Sequence, residues 1–301
     1  MRILVLGGSG YLGGHVVEGL RSLPDAVVLD GGRSPGAGFP VDLARDRPER
    51  LASVVADAAP DAVVNCAGAT GGDAVTLAEV NARGPAVLCA ALREAAPAVR
   101  LVHLGSAAEY GPGTPGSRVT ESAPTCPAGP YGATKLAGTA AVAGSGLDAV
   151  VLRVGNPVGA GAPPAGLPGR VARRLRAAGS DPEAVLRLGD LSAFRDLVDA
   201  RDVARAVRLA VTAPGPLPAV LNIGSGRAVP VRDLVTGLTR LAGFRGRVEE
   251  GSAGSSRSAE VSWQCSDITA AEEALGWRPA NSLDEALTGL WAGTRPDGEE
   301  P

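Results

Sequence analysis

The chain opens with a short apolar run that passes without a spacer into glycine. Arg2–Leu6 is followed at once by Gly7-Gly8-Ser9-Gly10-Tyr11-Leu12-Gly13, and a helical pattern begins at Tyr11. Few architectures accept that junction. A buried strand must turn sharply, bring its backbone close to a ligand, and start a helix whose N-terminus faces outward from the sheet edge. Glycines at 7, 10 and 13 form G-x-x-G-x-x-G, a variant of the dinucleotide fingerprint. There the helix N-terminus meets a pyrophosphate and small residues admit the approach.

The rest of the first half repeats the unit. Runs at 26–29, 62–65, 100–104 and 149–152 are short and rich in Val, Ile or Leu, as strands covered on both faces should be. Helical stretches fall between them at 11–21, 49–58, 73–95 and 132–143. This alternation predicts an α/β fold, a Rossmann-like doubly wound parallel sheet. Beyond Arg153 the texture changes. Residues 155–169 are Gly/Pro-rich and uncharged and read as a loop, followed by a basic helix over 170–178 whose arginines form a solvated face. Short strands are expected at 185–188, 197–198 and 219–223, and helices at 200–211, 231–241, 269–275 and 283–291. Residues 1–153 are therefore expected to form an NAD(P)-binding core, 154–294 to complete the sheet and build a smaller C-terminal substrate-binding lobe, and 295–301 to be a tail.

Composition narrows the function classes. With 45% hydrophobic and 20% charged residues the chain can bury a sizeable core, and a net charge of −3 gives no support to nucleic-acid binding. No run approaches the roughly 18 uncharged apolar residues of a membrane span, and Gly7 and Gly8 interrupt any secretory h-region. Cys66, Cys89, Cys126 and Cys265, with only His15 and His103, offer neither zinc-type spacing nor a disulfide framework. The reading is a cytoplasmic protein with reduced thiols and no metal.

The cofactor end can be followed along the strands. Asp30 lies 17 residues past Gly13 and ends the second strand, where a carboxylate accepts from ribose hydroxyls and favours NAD. Arg33 suits a 2′-phosphate and favours NADP, so the choice stays open. Asp42-Leu43 follows the next apolar piece, within reach of an adenine. Cys66-Ala67-Gly68 closes the fourth strand with small residues, where the cofactor would cross the sheet edge.

Lysine and arginine together number 29, yet the only lysine is Lys135, and it stands four residues after Tyr131. On a helix these two share a face. An ammonium beside a phenol favours tyrosinate and brings the pair into the range of a proton donor or acceptor. Ser106, just past the fifth strand, stands where parallel-sheet sites are built, with a hydroxyl that can share a substrate oxygen with Tyr131. His103, on the same strand, reads as a core residue.

With these residues the chain resembles an extended short-chain dehydrogenase/reductase of the NAD-dependent epimerase/dehydratase family, from Gly7 to about Trp277. The resemblance implies a Ser106, Tyr131 and Lys135 catalytic set, with Tyr131 and Lys135 also on the cofactor. It places Val154, in the segment 152–159, against the nicotinamide, and Asn156 against the sugar. Phe194-Arg195-Asp196 resembles an arginine–aspartate element. Arg257, with Glu260 and Asp267 behind it, resembles a second arginine, and guanidinium forks of this kind suit a diphosphate. A homodimer through helices 73–95 and 132–143 is implied by analogy alone.

Residues 107–110 bear on the reaction. Related sugar 4,6-dehydratases carry an acid/base where Ala107 and Ala108 stand, and alanine moves no proton. Glu109 is one position off and is expected to point away along an extended chain. The segment 186–202 resembles the branch of GDP-mannose dehydratases and GDP-4-keto-6-deoxymannose reductases. The expectation is an NAD(P)H-dependent 4-ketoreductase of a nucleotide-linked 6-deoxysugar. A nucleotide-sugar 4-epimerase, a reductase of a non-sugar ketone and a non-catalytic dinucleotide sensor remain open.

Overall fold

The computed structural model describes residues 1–251 and 261–294. Its first strand, β1 (Arg2–Leu6), lies inside a seven-stranded sheet between β2 (Val27–Gly32) and β4 (Ala62–Asn65). β3 (Phe39–Pro40) extends the β2 side. β5 (Arg100–Ser106), β6 (Ala149–Val154) and, from much later in the chain, β10 (Val220–Ile223) extend the other. Every pairing is parallel. Strand order therefore reverses at β1, with β2 on one side and β4 on the other, which is the switch point where doubly wound sheets open a crevice.

Alternate residues of each strand serve opposite faces. Ile3, Val5, Val64, Val102 and Leu152 pack with Val16 and Leu20 of α1 (Tyr11–Arg21) and Val203 and Val207 of α7 (Ala200–Thr212). Leu4, Leu6, Val63, Leu101 and Val151 pack with α2 (Pro48–Ala58) and α4 (Gly84–Ala95), and Val142 of α5 (Pro130–Ala143) joins them. Each such side chain, fully buried, contributes about 1.5–3 kcal/mol, so the two apolar layers fix the register of the sheet.

A third apolar cluster belongs to the smaller lobe, where Val171 and Leu175 of α6 (Leu167–Ala178) meet Leu234 and Leu238 of α8 (Val231–Leu241) and Leu287 of the helix Leu283–Gly293. The lobe starts where β6 ends. β7 (Asn156–Val158) pairs in parallel with β9 (Phe194–Asp199), and β11 (Ala228–Pro230) lies antiparallel to β9. β8 (Val185–Leu188) pairs with β12 (Arg247–Glu250).

Four expectations change. The stretch 155–169 is not all loop: it holds β7, because Val158 has a buried seat and β9 an open edge. Helix 73–95 is divided into α3 (Ala74–Ala78), a π turn Glu79–Arg83, and α4. Pro85 has no N–H to continue the ladder, and the wider π turn lets Asn81 face inward. β2 runs on to Gly32 because Gly31 and Gly32 pair with Phe39 and Pro40, so Asp30 lies within the strand rather than at its end. The arginines of α6 are not a uniform solvated face, since Arg176 stacks over Trp291 at 3.9 Å and donates to its carbonyl. Among the described residues no helix is long and apolar enough to cross a membrane.

Trp277 ties the late chain to the sheet. Its side chain is fully buried, its indole N–H donates to Asp202 O at 3.0 Å, and the Asp202 carboxylate accepts from Ala280 and Asn281 N–H, each at 2.9 Å. Trp277→Ala is expected to cost about 3–5 kcal/mol of stability in urea unfolding. A loss below about 1 kcal/mol would contradict this tie.

Candidate active site

The turn from β1 into α1 is packed backbone to backbone. Gly7 has φ +78°, and a Cβ there would lie 2.8 Å from Ala67 N. A Cβ on Gly13 would lie 2.0 Å from Gly7 O, so no side chain fits at either position. Gly10 is the N-cap of α1 and no side chain caps that helix, which leaves the turn from Gly10 through Tyr11 and Leu12 suited to an external anion. The cradle fits the pyrophosphate of a dinucleotide.

The β2 side borders the same turn. The Cβ position of Gly8 is 3.2 Å from Asp30 Oδ1, and the Asp30 carboxylate is exposed. Ser34 Oγ is 3.4 Å from Ser9 Oγ, which brings the exposed Arg33 turn to the glycine loop. A group for ribose hydroxyls and a group for a 2′-phosphate thus stand at one end of the cradle. Asp42 is committed to its own turn, accepting from Ala44 N–H at 3.1 Å. The Leu43 side chain is buried beside Gly84, so it has only backbone to offer an adenine.

Ser106 is the last residue of β5 and lies in register with Val154 of β6. The chain then coils into a 3₁₀ turn, Ala107–Glu109, and Ser106 Oγ accepts from Ala108 N–H at 3.2 Å. Helix α5 begins at Gly129 and Pro130, which puts half-buried Tyr131 in its first turn and Lys135 in the next. Lys135 is buried, and its ammonium donates to Leu104 O at 2.5 Å, two residues before Ser106 on the same strand. The lysine thus ties α5 to the strand that ends in Ser106.

Burial drives the electrostatics here. It draws the Lys135 ammonium down to about 8, with the Glu109 carboxylate opposing. It pushes the Cys66 thiol at the end of β4 up to about 12, against the pull of Lys135. It holds the His103 imidazole well below its usual range, an effect Lys135 reinforces, so His103 is a neutral core residue. Tyr11 presents its ring edge to His15, and burial followed by the charge of Asp199 raises its hydroxyl far above the usual phenol range.

One residue of this region escaped the sequence reading, and a second, Glu109, was expected to point away. Asn81, in the π turn, accepts from Ala69 N–H at 2.9 Å and donates to Ala69 O at 2.8 Å and Thr134 Oγ1 at 3.3 Å. It clamps the loop after β4 to α5; the Cβ position of Gly68 is 3.4 Å from Asn81 Oδ1 and 3.8 Å from Lys135 Nζ. The signal was an Asn inside a helical pattern just before Gly84-Pro85. Glu109 is the other. The expected extended chain is a 3₁₀ turn instead, and Glu109 folds under the serine into the core.

On the lobe side, Ala107 is buried and Ala108 half-buried. Arg195 is half-buried and donates to Phe194 O at 2.8 Å; among the described residues no carboxylate pairs with it, and burial lowers its pKa. It suits an anionic ligand. Asp196 separates from it: alternation along β9 turns the carboxylate inward, where it accepts from Ser225 N–H and O–H and from Ser266 N–H. Asn156 donates to Gln264 Oε1 at 2.7 Å and to Asp196 O at 3.3 Å. Arg257 and Glu260 lie outside the described residues.

Because Lys135 is the sole lysine, its titration is directly readable. The side-chain Cε resonance of lysine-labelled protein is expected to titrate near pH 8. A midpoint near the ordinary ~10.4 would contradict the burial argument.

Comparison with known proteins places this geometry. The profile of the NAD dependent epimerase/dehydratase family matches residues 3–224. The chain is 38% identical over 303 residues to a dTDP-6-deoxy-L-talose 4-dehydrogenase (NAD(P)(+)) of Kitasatospora kifunensis, covering 96% of this chain and 94% of that protein. It is 30% identical over 274 residues to a UDP-glucose 4-epimerase of Azospirillum brasilense, covering 80% and 78%. The solved UDP-glucose 4-epimerase of Thermus thermophilus, in complex with NAD, superposes with a TM-score of 0.83 at 26% identity, over 99% of this chain and 100% of that one. The glycine turn, the sheet order and these matches agree: the chain belongs to the NAD-dependent epimerase/dehydratase family of NAD(P)-dependent enzymes.

Proposed function

We propose that the protein interconverts a ketone and an alcohol at C4 of a nucleotide-linked 6-deoxysugar, with NAD(P)H as reductant, and that a dTDP-sugar is the first substrate to try. The observation that carries this reading is a serine turn with alanine at both following positions, beside a helix that carries the phenol and the ammonium. Lys135 donates to Leu104 O of β5, Tyr131 stands one turn before it on α5, and Ala107 and Ala108 occupy the turn after Ser106. Elimination of water needs a further proton-moving group; reduction at a carbonyl needs only hydride and one proton. The similarity to a 4-dehydrogenase of a dTDP-6-deoxysugar supports the same couple, since that reaction reversed is a 4-ketoreduction.

NAD(P)H supplies the hydride when bound, and its pyrophosphate would be held by the turn at Gly7, Gly10 and Gly13, its ribose ends by Asp30 or Arg33 and by Lys135. The chain's own groups manage the oxygen. Ser106 Oγ donates to the carbonyl oxygen and orients it. The Tyr131 hydroxyl delivers its proton to that oxygen as the alcohol forms. The Lys135 ammonium stabilises the phenolate left behind. Arg195 receives the diphosphate through its guanidinium fork, and Asn156 contacts the sugar. The outward faces of α4 and α5 are the proposed surface of a homodimer.

The similarity to UDP-glucose 4-epimerases favours a second reading, epimerisation through a transient ketone. Stoichiometry separates the two. With dTDP-4-keto-6-deoxyhexoses and NADH or NADPH, one cofactor is expected to be oxidised per sugar reduced. Interconversion of two sugars without net oxidation would establish the epimerase. Tyr131→Phe is expected to lower kcat by about 10²–10⁴-fold with cofactor affinity little changed; undiminished turnover would remove the phenol from the mechanism.

A further inference from the structure

The buried acid beneath the serine has no place in the proton transfer above, yet both of its oxygens are held. Glu109 Oε1 accepts from Ser106 N–H at 2.7 Å, and Glu109 Oε2 accepts from Arg153 Nε at 2.7 Å. The two side chains are 0% and 6% exposed. Arg153 belongs to β6, where it lies in register with Gly105, directly before Val154. Its guanidinium sits 4.5 Å from the centre of the Tyr110 ring, and the Tyr110 hydroxyl donates to Asn222 Oδ1 of β10 at 2.8 Å. Asn222 is itself held, donating to Val119 O and Asp267 O. The turn that aims Ser106 is thereby anchored to β6 and β10 through a continuous buried polar chain.

The same carboxylate, bonded to Ser106 N–H, lies two residues along β5 from Leu104 O, which holds the Lys135 ammonium, and its charge favours the protonated lysine. The titratable groups near that ammonium are Cys66, directly after β4, His103 of β5, Arg153 of β6 behind Glu109, and Tyr131 one turn earlier on α5. The thiol and the imidazole are neutral at pH 7. Arg153 adds a second positive charge, so Glu109 is the buried anion that offsets two cations.

We propose that Glu109, clamped by Arg153, is a positioning residue of this site: one carboxylate oxygen fixes the serine turn while its charge keeps Lys135 an ammonium. Glu109 is sealed from the crevice and touches no reacting atom. The inference rests on the roles proposed for Ser106 and Lys135, and its test is read without substrate.

Glu109→Gln keeps the size of the side chain and an oxygen for Ser106 N–H but removes the charge. In lysine-labelled protein the Lys135 midpoint is expected to fall by about one pH unit from its wild-type value. Arg153→Met, which leaves the anion unopposed, is expected to raise it by a similar amount. Glu109→Asp restores the charge on a shorter arm, so the midpoint returns to the wild-type value while kcat falls about tenfold from the loosened turn. Circular dichroism identifies folded chains, and an unfolded chain is recognised by a lysine midpoint near ~10.4. Opposite shifts in the two single variants support the proposal. A folded Glu109→Gln or Arg153→Met protein whose lysine titrates within 0.3 unit, roughly the resolution of such a titration, of wild type overturns it. Failure of the ketoreductase reading would show separately, as wild-type protein with the expected lysine midpoint and no turnover on any ketosugar.

Discussion

The site depends on one ammonium kept inside the protein. Lys135 of α5 is bound to Leu104 O of β5 at 2.5 Å, and its helix packs on β5 and β6. Burial lowers its pKa from 10.5 to about 8, a penalty on the order of 3 kcal/mol for the charged form. The sign follows from linkage. The folded state binds this proton less tightly than the unfolded chain, so the stability contribution is full above about pH 10.5 and is lost as pH falls through 8. At neutral pH the fold therefore carries the charge at a cost, and the compensations are the Leu104 carbonyl and the Glu109 carboxylate. An exposed lysine would have avoided the cost but could not be held against the strand that delivers Ser106.

The sheet explains why these groups meet where they do. In a parallel sheet all carboxyl ends lie along one edge, so the turn after β1, the small residues after β4, Ser106 after β5 and Val154 at the end of β6 share a rim. The order reversal at β1 opens the crevice beside the glycine turn. Asn81 closes the arrangement from the helical side: its amide fastens the loop after β4 to α5. The π turn that lets Asn81 face inward is thus part of the site's geometry and not a defect in a long helix.

Much of this was legible because the signals were local. An apolar run entering Gly7, Gly10 and Gly13, a Tyr and the sole Lys four apart, and a serine at a strand end each declare themselves within a few residues. What escaped is set by contacts across the sheet. β7 exists because β9, nearly forty residues on, offers an edge. Asp196 turns inward because Ser225 and Ser266, from distant segments, supply donors. Glu109 is drawn under the serine by Arg153, 44 positions away, and the 3₁₀ turn after Ser106 makes that possible where an extended chain would have aimed it outward. No window-based pattern contains those partners.

The fate of Glu109 also clarifies how one fold accommodates different chemistries on the same rim. A carboxylate near Ser106 is not in itself an acid/base. Here it is sealed in the core, paired with Arg153 and committed to a backbone N–H, so it exchanges no proton with a ligand. The positions that directly follow Ser106, Ala107 and Ala108, have no proton to give. The carboxylate beneath Ser106 holds the turn through its bond to Ser106 N–H and adds its charge to the field at Lys135, which under the proposed mechanism leaves proton transfer to the phenol–ammonium pair. Moving that carboxylate by one residue along the turn would change which face it occupies, and with it the number of protons the site can handle. In this chain the turn and the arginine behind it keep Glu109 in the core.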